Sequence, residues 1–264
     1  MSVFKPPEKD FRVAEVDGKK YRLLQKRVYD LFNTSLLGLG DISQQSVPVD
    51  AIAAVFDLQG FTNFCKQIEP HLSVPRFLNE FLGWLLGQIK EEMTHKQYGE
   101  EVHLYGPLPF LVKFLGDGLL VIWDASAMRD VARRNVLLAA KEICTAYARN
   151  FLPTILKEIV DPPPALRCGL ARGTVYSVGD GNDFVGSCIN MAARLEKLPG
   201  VTFAFNKRGF ELKEPELEST EFFCKAIVVK KVAIRGIGHG ELIGILKKEF
   251  ESLKSADKKL FLDP

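Results

Sequence analysis

Two aspartates sit in stretches of sequence that are otherwise apolar. Asp57 interrupts the run AIAAVFDL at residues 51–58, and Gly60 follows closely. A carboxylate in a buried strand must be paired, hydrogen-bonded or metal-bound, because desolvating a free one is costly. It could equally cap a helix beginning near Phe61. Asp117 stands between Gly116 and Gly118 in KFLGDGLLVIW, where it also reads as an ordinary turn residue. The pair says more than either residue. If the hairpin carrying Asp117 packs beside the strand carrying Asp57, two strand-end carboxylates meet. Two carboxylates over Mg²⁺ or Mn²⁺ are what phosphoryl chemistry uses. Asn190 and Arg194 lie four apart in SCINMAARLEKL, so on a helix they share a face. That face is either a solvated stripe or a guanidinium aimed at phosphate oxygens. Lys113 lies inside an apolar strand and either snorkels to the edge or serves the site.

The elements that must position these residues follow from periodicity. Residues 51–58 predict a central strand. Residues 74–96 predict a long helix, with Phe77, Phe81, Trp84, Leu85 and Ile89 on its apolar side. Residues 101–106 are a weaker strand. Residues 109–123 predict two strands around the turn at 116–118. Helix returns over 128–157, with Pro153 as a bend, and the run DPPP at 161–164 stops it. A strand pair is predicted at 166–173 and 175–178, then a helix over 187–198, the strand VTFAF, and a final β pair in KKVAIRGIG and ELIGILKK. Ahead of the first core strand, residues 1–20 read as loose and 21–37 as an amphipathic helix. The sum is an α+β chain with helices against one mainly antiparallel sheet.

Composition sets bounds. The chain has 264 residues, 47% of them hydrophobic, with 19 Phe, enough for a sizeable core. A formal net charge of +2 excludes a basic nucleic-acid arm, so any phosphate site must be local. Cys65, Cys144, Cys168, Cys188 and Cys224 include no C-x-x-C pair and predict buried thiols in a reducing compartment. No leader pattern and no bilayer-length apolar run is visible, so the cytoplasm is expected, with no direct membrane association.

The motifs in combination resemble the catalytic domain of the class III nucleotidyl cyclases. VFDLQGFT resembles the family's first metal motif and KFLGDG its second. NDFVGSCINMAAR resembles its D-x-W-G-x-x-V-N-x-A-x-R segment. The resemblance covers residues 50–247. It implies a ferredoxin-like cyclase fold, and a division into an N-terminal extension (1–48), a catalytic domain (49–250) and a polar tail (251–264). It implies two divalent cations, Mn²⁺ or Mg²⁺, on Asp57, Asp117 and the main-chain carbonyl of Leu58. Lys113 and Asp183 fall where the family reads the base, and Asn190 where it orients the ribose. Arg194 falls at its transition-state arginine, and Arg235 where a triphosphate-binding lysine is common. It further implies a homodimer whose two sites each take residues from both chains. Val185 stands in place of the motif's tryptophan, and residues 98–107 add length between the two aspartates.

The expected reaction is closure of a nucleoside triphosphate to its 3′,5′-cyclic monophosphate. The absence of a visible sensor segment resembles the Pycsar anti-phage cyclases. That implies a pyrimidine substrate, UTP ahead of CTP, and a part in defence. The donor and acceptor offered by Lys113 and Asp183 suit adenine, so an adenylate cyclase is the alternative. A non-catalytic nucleotide-binding regulator is a third reading, opposed by the intact set Asp57, Asp117, Asn190 and Arg194.

Overall fold

The computed structural model describes residues 4–67, 69–234 and 236–264. Two compact units divide the chain, one made of Met1–Pro48 and Tyr176–Val185, the other of Val49–Val175 and Gly186–Pro264.

The first unit corrects the reading of the N-terminal region. Strands β1 (Phe11–Val16) and β2 (Lys19–Leu24) form an antiparallel hairpin in place of loose chain and the start of the expected amphipathic helix. The turn is Asp17–Gly18, with φ of 51° and 71°, the left-handed pair that a two-residue hairpin loop requires. Arg22 on β2 pairs with Glu8 at 2.6 Å and lies 3.8 Å from the centre of the Phe11 ring. Only a turn of helix at Lys26–Tyr29 and a 3₁₀ turn at Thr34–Leu37 remain of the expected helix. Asp180 ties the two segments of this unit together, accepting from the Asp41 N–H at 3.1 Å and donating its own N–H to Leu39 at 2.9 Å.

The second unit is built on a large sheet. Its strands are β3 (Pro48–Gln59), β6 (Leu111–Phe114), β7 (Gly118–Asp124), β8 (Ala165–Val178), β10 (Phe203–Asn206), β11 (Ile227–Ile234) and β12 (Gly238–Leu246), while all but the last residue of β9 (Asp183–Gly186) falls in the first unit. The order is β11-β12-β10-β8-β3-β7-β6, with β9 against β8. The intervening β4 (Thr94–Tyr98) and β5 (Glu101–Leu104) form a separate hairpin. The expected mainly antiparallel sheet is corrected to a mixed one. β10 runs parallel to β8, whereas β12 pairs antiparallel with β10 and β11, and β7 with β3 and β6. Residues 166–178 form one continuous strand rather than two.

The central strand is apolar on both faces because both are covered. Ile52, Ala54, Phe56 and Leu58 join the core formed with Phe77, Phe81, Leu85 and Ile89 of helix Pro70–Met93, and with Val136, Ala140 and Ile143 of helix Asp130–Ala146. Ala51, Ala53 and Val55, which point the other way, are equally buried. Helix Ser187–Leu195 lies directly on β8. A Cβ on Gly169 would come within 2.0 Å of the Ala192 carbonyl oxygen, so only glycine permits that approach. Helix Pro70–Met93 ends three residues earlier than predicted, where the chain turns into β4.

Candidate active site

The pairing of β3 with β7 sets Asp57 opposite Gly118, and the Leu58 N–H donates to the Asp117 carbonyl at 3.0 Å. The two aspartates therefore sit side by side at the ends of adjacent strands. A tight turn makes this possible. The Leu115 N–H donates to Gly118 at 2.9 Å, and Gly116 takes a φ of 101° that L side chains rarely adopt. Gly118 is required for a different reason. A Cβ there would lie 1.9 Å from the Phe56 carbonyl oxygen, which would force the strands apart beside Asp57.

Asp57, Leu58 and Asp117 line a cleft of about 550 Å³, which they share with Arg167, Glu196 and Lys197. Arg167, on β8, donates from Nη2 to the Asp57 carboxylate. The same nitrogen lies 3.4 Å from Oε2 of Glu196. The side chains of Asp57 and Arg167 are 15% and 22% exposed, and that of Glu196 only 2%. Burial pushes the Glu196 carboxyl up to about 7, and the nearby Asp57 charge adds to the rise. Arg167 and Lys197 oppose it. Asp117 forms no ion pair or side-chain hydrogen bond among the described residues.

The donors suit a hard divalent cation. Two carboxylates and nearby main-chain carbonyls are oxygen ligands of the kind Mg²⁺ and Mn²⁺ prefer. Among the described residues no cluster of three or more His, Cys, Asp or Glu could hold an ion by itself. An ion here would complete its shell with water and substrate phosphate, as Mg²⁺ commonly does.

The remaining expected site residues are placed elsewhere. Asn190 and Arg194 occupy the exposed stripe of helix Ser187–Leu195, whose opposite side buries Cys188, Met191, Ala192 and Leu195. Neither lines the Asp57 cleft, although Ala193 and Glu196 of the same segment do. The Arg194 guanidinium lies 3.5 Å from where a Cβ on Gly236 would stand, so it faces the turn between β11 and β12. Arg235, the preceding residue in sequence, lies outside the described residues. Lys113 is on β6, opposite Leu120. Asp183 opens β9 and accepts from the Phe184 N–H at 2.9 Å. Residues 98–107 do not line the Asp57 cleft. The β4–β5 hairpin instead leads to Tyr105, whose carbonyl accepts from Asn135 at 3.2 Å, and to Gly106 beside Ala132.

Sequence reading overlooked Arg167 and Glu196. Arg167 was one charged residue in the strand LRCGLARG. Its signal was an arginine among small and apolar neighbours in a strand that must lie near Asp57. Glu196 follows the helix that carries Arg194, and its burial had no signature.

The sequence matches no family model and no curated protein. Solved structures, by contrast, share its fold. The adenylyl cyclase CyaB from P. aeruginosa aligns over 77% of this chain and 96% of its own, with a TM-score of 0.56 and 14% identity. A bacterial light-regulated adenylyl cyclase aligns over 85% of this chain, which spans 61% of that longer protein, with a TM-score of 0.52 and 14% identity. An adenylate/guanylate cyclase/hydrolase from Silicibacter pomeroyi aligns over 76% of this chain and 98% of its own, with a TM-score of 0.50 and 15% identity. The fold is thus one that this chain shares with these solved cyclase structures. No helix among the described residues is long and apolar enough to cross a membrane.

Proposed function

We propose that this chain is a divalent-metal-dependent nucleotidyl cyclase. The observation that carries the reading is the meeting of Asp57 and Asp117 in one cleft, on a fold shared with adenylyl cyclases. Mg²⁺ or Mn²⁺ bound there would supply Lewis acidity, easing deprotonation of a ribose hydroxyl and offsetting phosphate charge. Asp57, Asp117 and the Leu58 carbonyl are the groups that would hold the ions. The 3′-hydroxyl attacks the α-phosphorus, a new P–O bond closes the ring, and pyrophosphate leaves. Arg194 provides fixed positive charge for the oxygens on which negative charge gathers. Arg167 brings a second guanidinium to the metal side of the reaction. Asn190 orients the ribose, while Lys113 and Asp183 offer the base one donor and one acceptor. Arg235 serves the triphosphate.

Within one chain the exposed stripe of Asn190 and Arg194 does not open onto the Asp57 cleft. A homodimer in which each site takes the aspartates from one copy and the arginine from the other resolves this. ATP is the substrate this reading favours over UTP or CTP, because adenylyl cyclases share the fold and Lys113 with Asp183 suits the adenine edge. Residues 98–107, the added length between the two aspartates, do not line the cleft. The test offers the purified protein each of the four nucleoside triphosphates with Mn²⁺ and separates the products. Cyclic AMP should dominate. A dominant cyclic UMP or cyclic CMP peak would overturn the choice of base and restore the pyrimidine reading. No cyclic product from any substrate would overturn the cyclase.

A further inference from the structure

Two arginine–aspartate pairs join β8 to β3, and they differ in completeness. Arg172 uses Nε and Nη2 together on Asp50, at 3.1 and 2.6 Å. That is a finished bidentate strut. Arg167 places Nη2 on Asp57 but leaves its buried Nε without a hydrogen bond. Beside it the buried Oε2 of Glu196 is also without one, although Nη2 lies only 3.4 Å away. A buried donor and a buried acceptor on neighbouring side chains are thus both unsatisfied. Such groups are costly unless another arrangement of the same side chains uses them.

The charges point the same way. Asp57, Asp117 and Glu196 bring three carboxyl groups to the cleft, and Arg167 is the more enclosed of the two cations that face them. Lys197 is 70% exposed and 3.6 Å from Glu196. A divalent ion on Asp57 would stand beside the guanidinium already there, and like charges at that range repel strongly. Glu196 offers Arg167 a second carboxylate without removing it from the cleft.

We propose that Arg167 is a displaceable counter-cation on Asp57, and that Glu196 is the positioning residue to which it withdraws when a metal ion takes the aspartate. This rests on the metal reading given above. In the withdrawn position Arg167 pairs its Nε and Nη2 with Glu196 and remains beside the cleft. Binding of the first cation is then an exchange of partners rather than entry into a vacant site.

The test is Mn²⁺ binding to nucleotide-free protein, read from loss of the free Mn²⁺ electron paramagnetic resonance signal, with circular dichroism melting as the check on folding. Arg167→Gln should tighten Mn²⁺ binding by about tenfold, because the competitor is gone. Glu196→Gln should weaken it by about fivefold in the wild-type background and leave it unchanged when combined with Arg167→Gln, because its effect passes through the arginine. Unchanged or weaker binding by Arg167→Gln would make Arg167 a plain strut and overturn the proposal. So would an equal effect of Glu196→Gln in both backgrounds, which is the mark of simple through-space charge. If Arg167→Gln fails to fold, Glu196→Gln alone decides, weakened binding supporting the exchange and unchanged binding overturning it. If neither the wild type nor Arg167→Gln takes up Mn²⁺ at millimolar concentration, the metal reading itself falls and carries this proposal with it.

Discussion

Asp57 and Asp117 share a cleft but not an environment, so their substitutions should separate. Both Asp57→Asn and Asp117→Asn should lower cyclisation by at least about a hundredfold, the scale of losing one preorganised electrostatic contact. From sequence, each aspartate should be replaceable with little loss of folding. The ion pair to Arg167 changes that expectation for Asp57. Asp57→Asn leaves a largely buried guanidinium short of its partner and should destabilise the fold by about 1–3 kcal/mol, whereas Asp117→Asn should unfold in urea much as the wild type does. Equal urea midpoints for the two variants would contradict the pairing. Glu196 gives a pH signature. Its carboxyl titrates at about 7 in the folded chain, above the ordinary glutamate value near 4.3. Folded protein therefore binds more protons than unfolded protein across the window between those values, and stability falls as pH rises through it. Glu196→Gln removes the titration. The stability of this variant relative to wild type should rise by about 2 kcal/mol between pH 4.5 and pH 8 in metal-free protein. The groups facing Glu196, namely Asp57, Arg167 and Lys197, are common to both proteins. Denaturation at the two pH values measures the difference, and parallel curves would refute it.

At the scale of elements, glycines decide how closely the carrying pieces approach. Gly169 lets helix Ser187–Leu195 rest on β8, and Gly169→Ala would drive a methyl group into the Ala192 carbonyl. Backbone cannot yield as a flexible side chain can. The substitution should cost about 3 kcal/mol or more and, by lifting the helix, displace Arg194 and Glu196 together. Chemical denaturation reads the first effect and Mn²⁺ affinity the second. A stable Gly169→Ala protein with wild-type affinity would show that the contact is dispensable. The elements most legible in the sequence were those whose pattern is enforced by burial. The strand around Asp57, the hairpin at residues 116–118 and the helix of Asn190 and Arg194 all lie against the core, and their periodicity shows it. The β1–β2 hairpin was missed because polar residues along residues 11–24 mask its alternation, although Asp17–Gly18 was a legible turn signal. Residues 94–96 read as helix because no proline or glycine separates them from the helix before. The parallel pairing of β10 with β8 left no local mark, since strand direction depends on how distant segments return to the sheet. Arg167 and Glu196 escaped for the same reason, because their partnership exists only across strands and helix.

At the scale of the whole molecule, the arrangement of charged residues predicts how copies must combine. The aspartates open into the cleft with Arg167 and Glu196, whereas Asn190 and Arg194 are exposed on helix Ser187–Leu195 and do not line it. On the cyclase reading proposed above, a single chain would carry two separate halves of a site. Two copies related by a two-fold axis can set the aspartates of each against the arginine of the other, giving two equivalent sites. Asp57→Asn and Arg194→Ala proteins should each be inactive as homodimers, because both of their sites lack one part. A heterodimer of the two has one site missing both parts and one site missing neither. Random exchange in an equal mixture makes about half of the dimers heterodimers, each with one intact site in two. Recovered activity should therefore approach about a quarter of the wild-type value. Subunit exchange is followed independently with two affinity tags, so the fraction of mixed dimers is known when activity is read. Recovery in proportion to that fraction supports shared sites. Full exchange with no recovery would mean that each chain completes its own site, and that Arg194 must reach its own Asp57 cleft by a rearrangement of helix Ser187–Leu195.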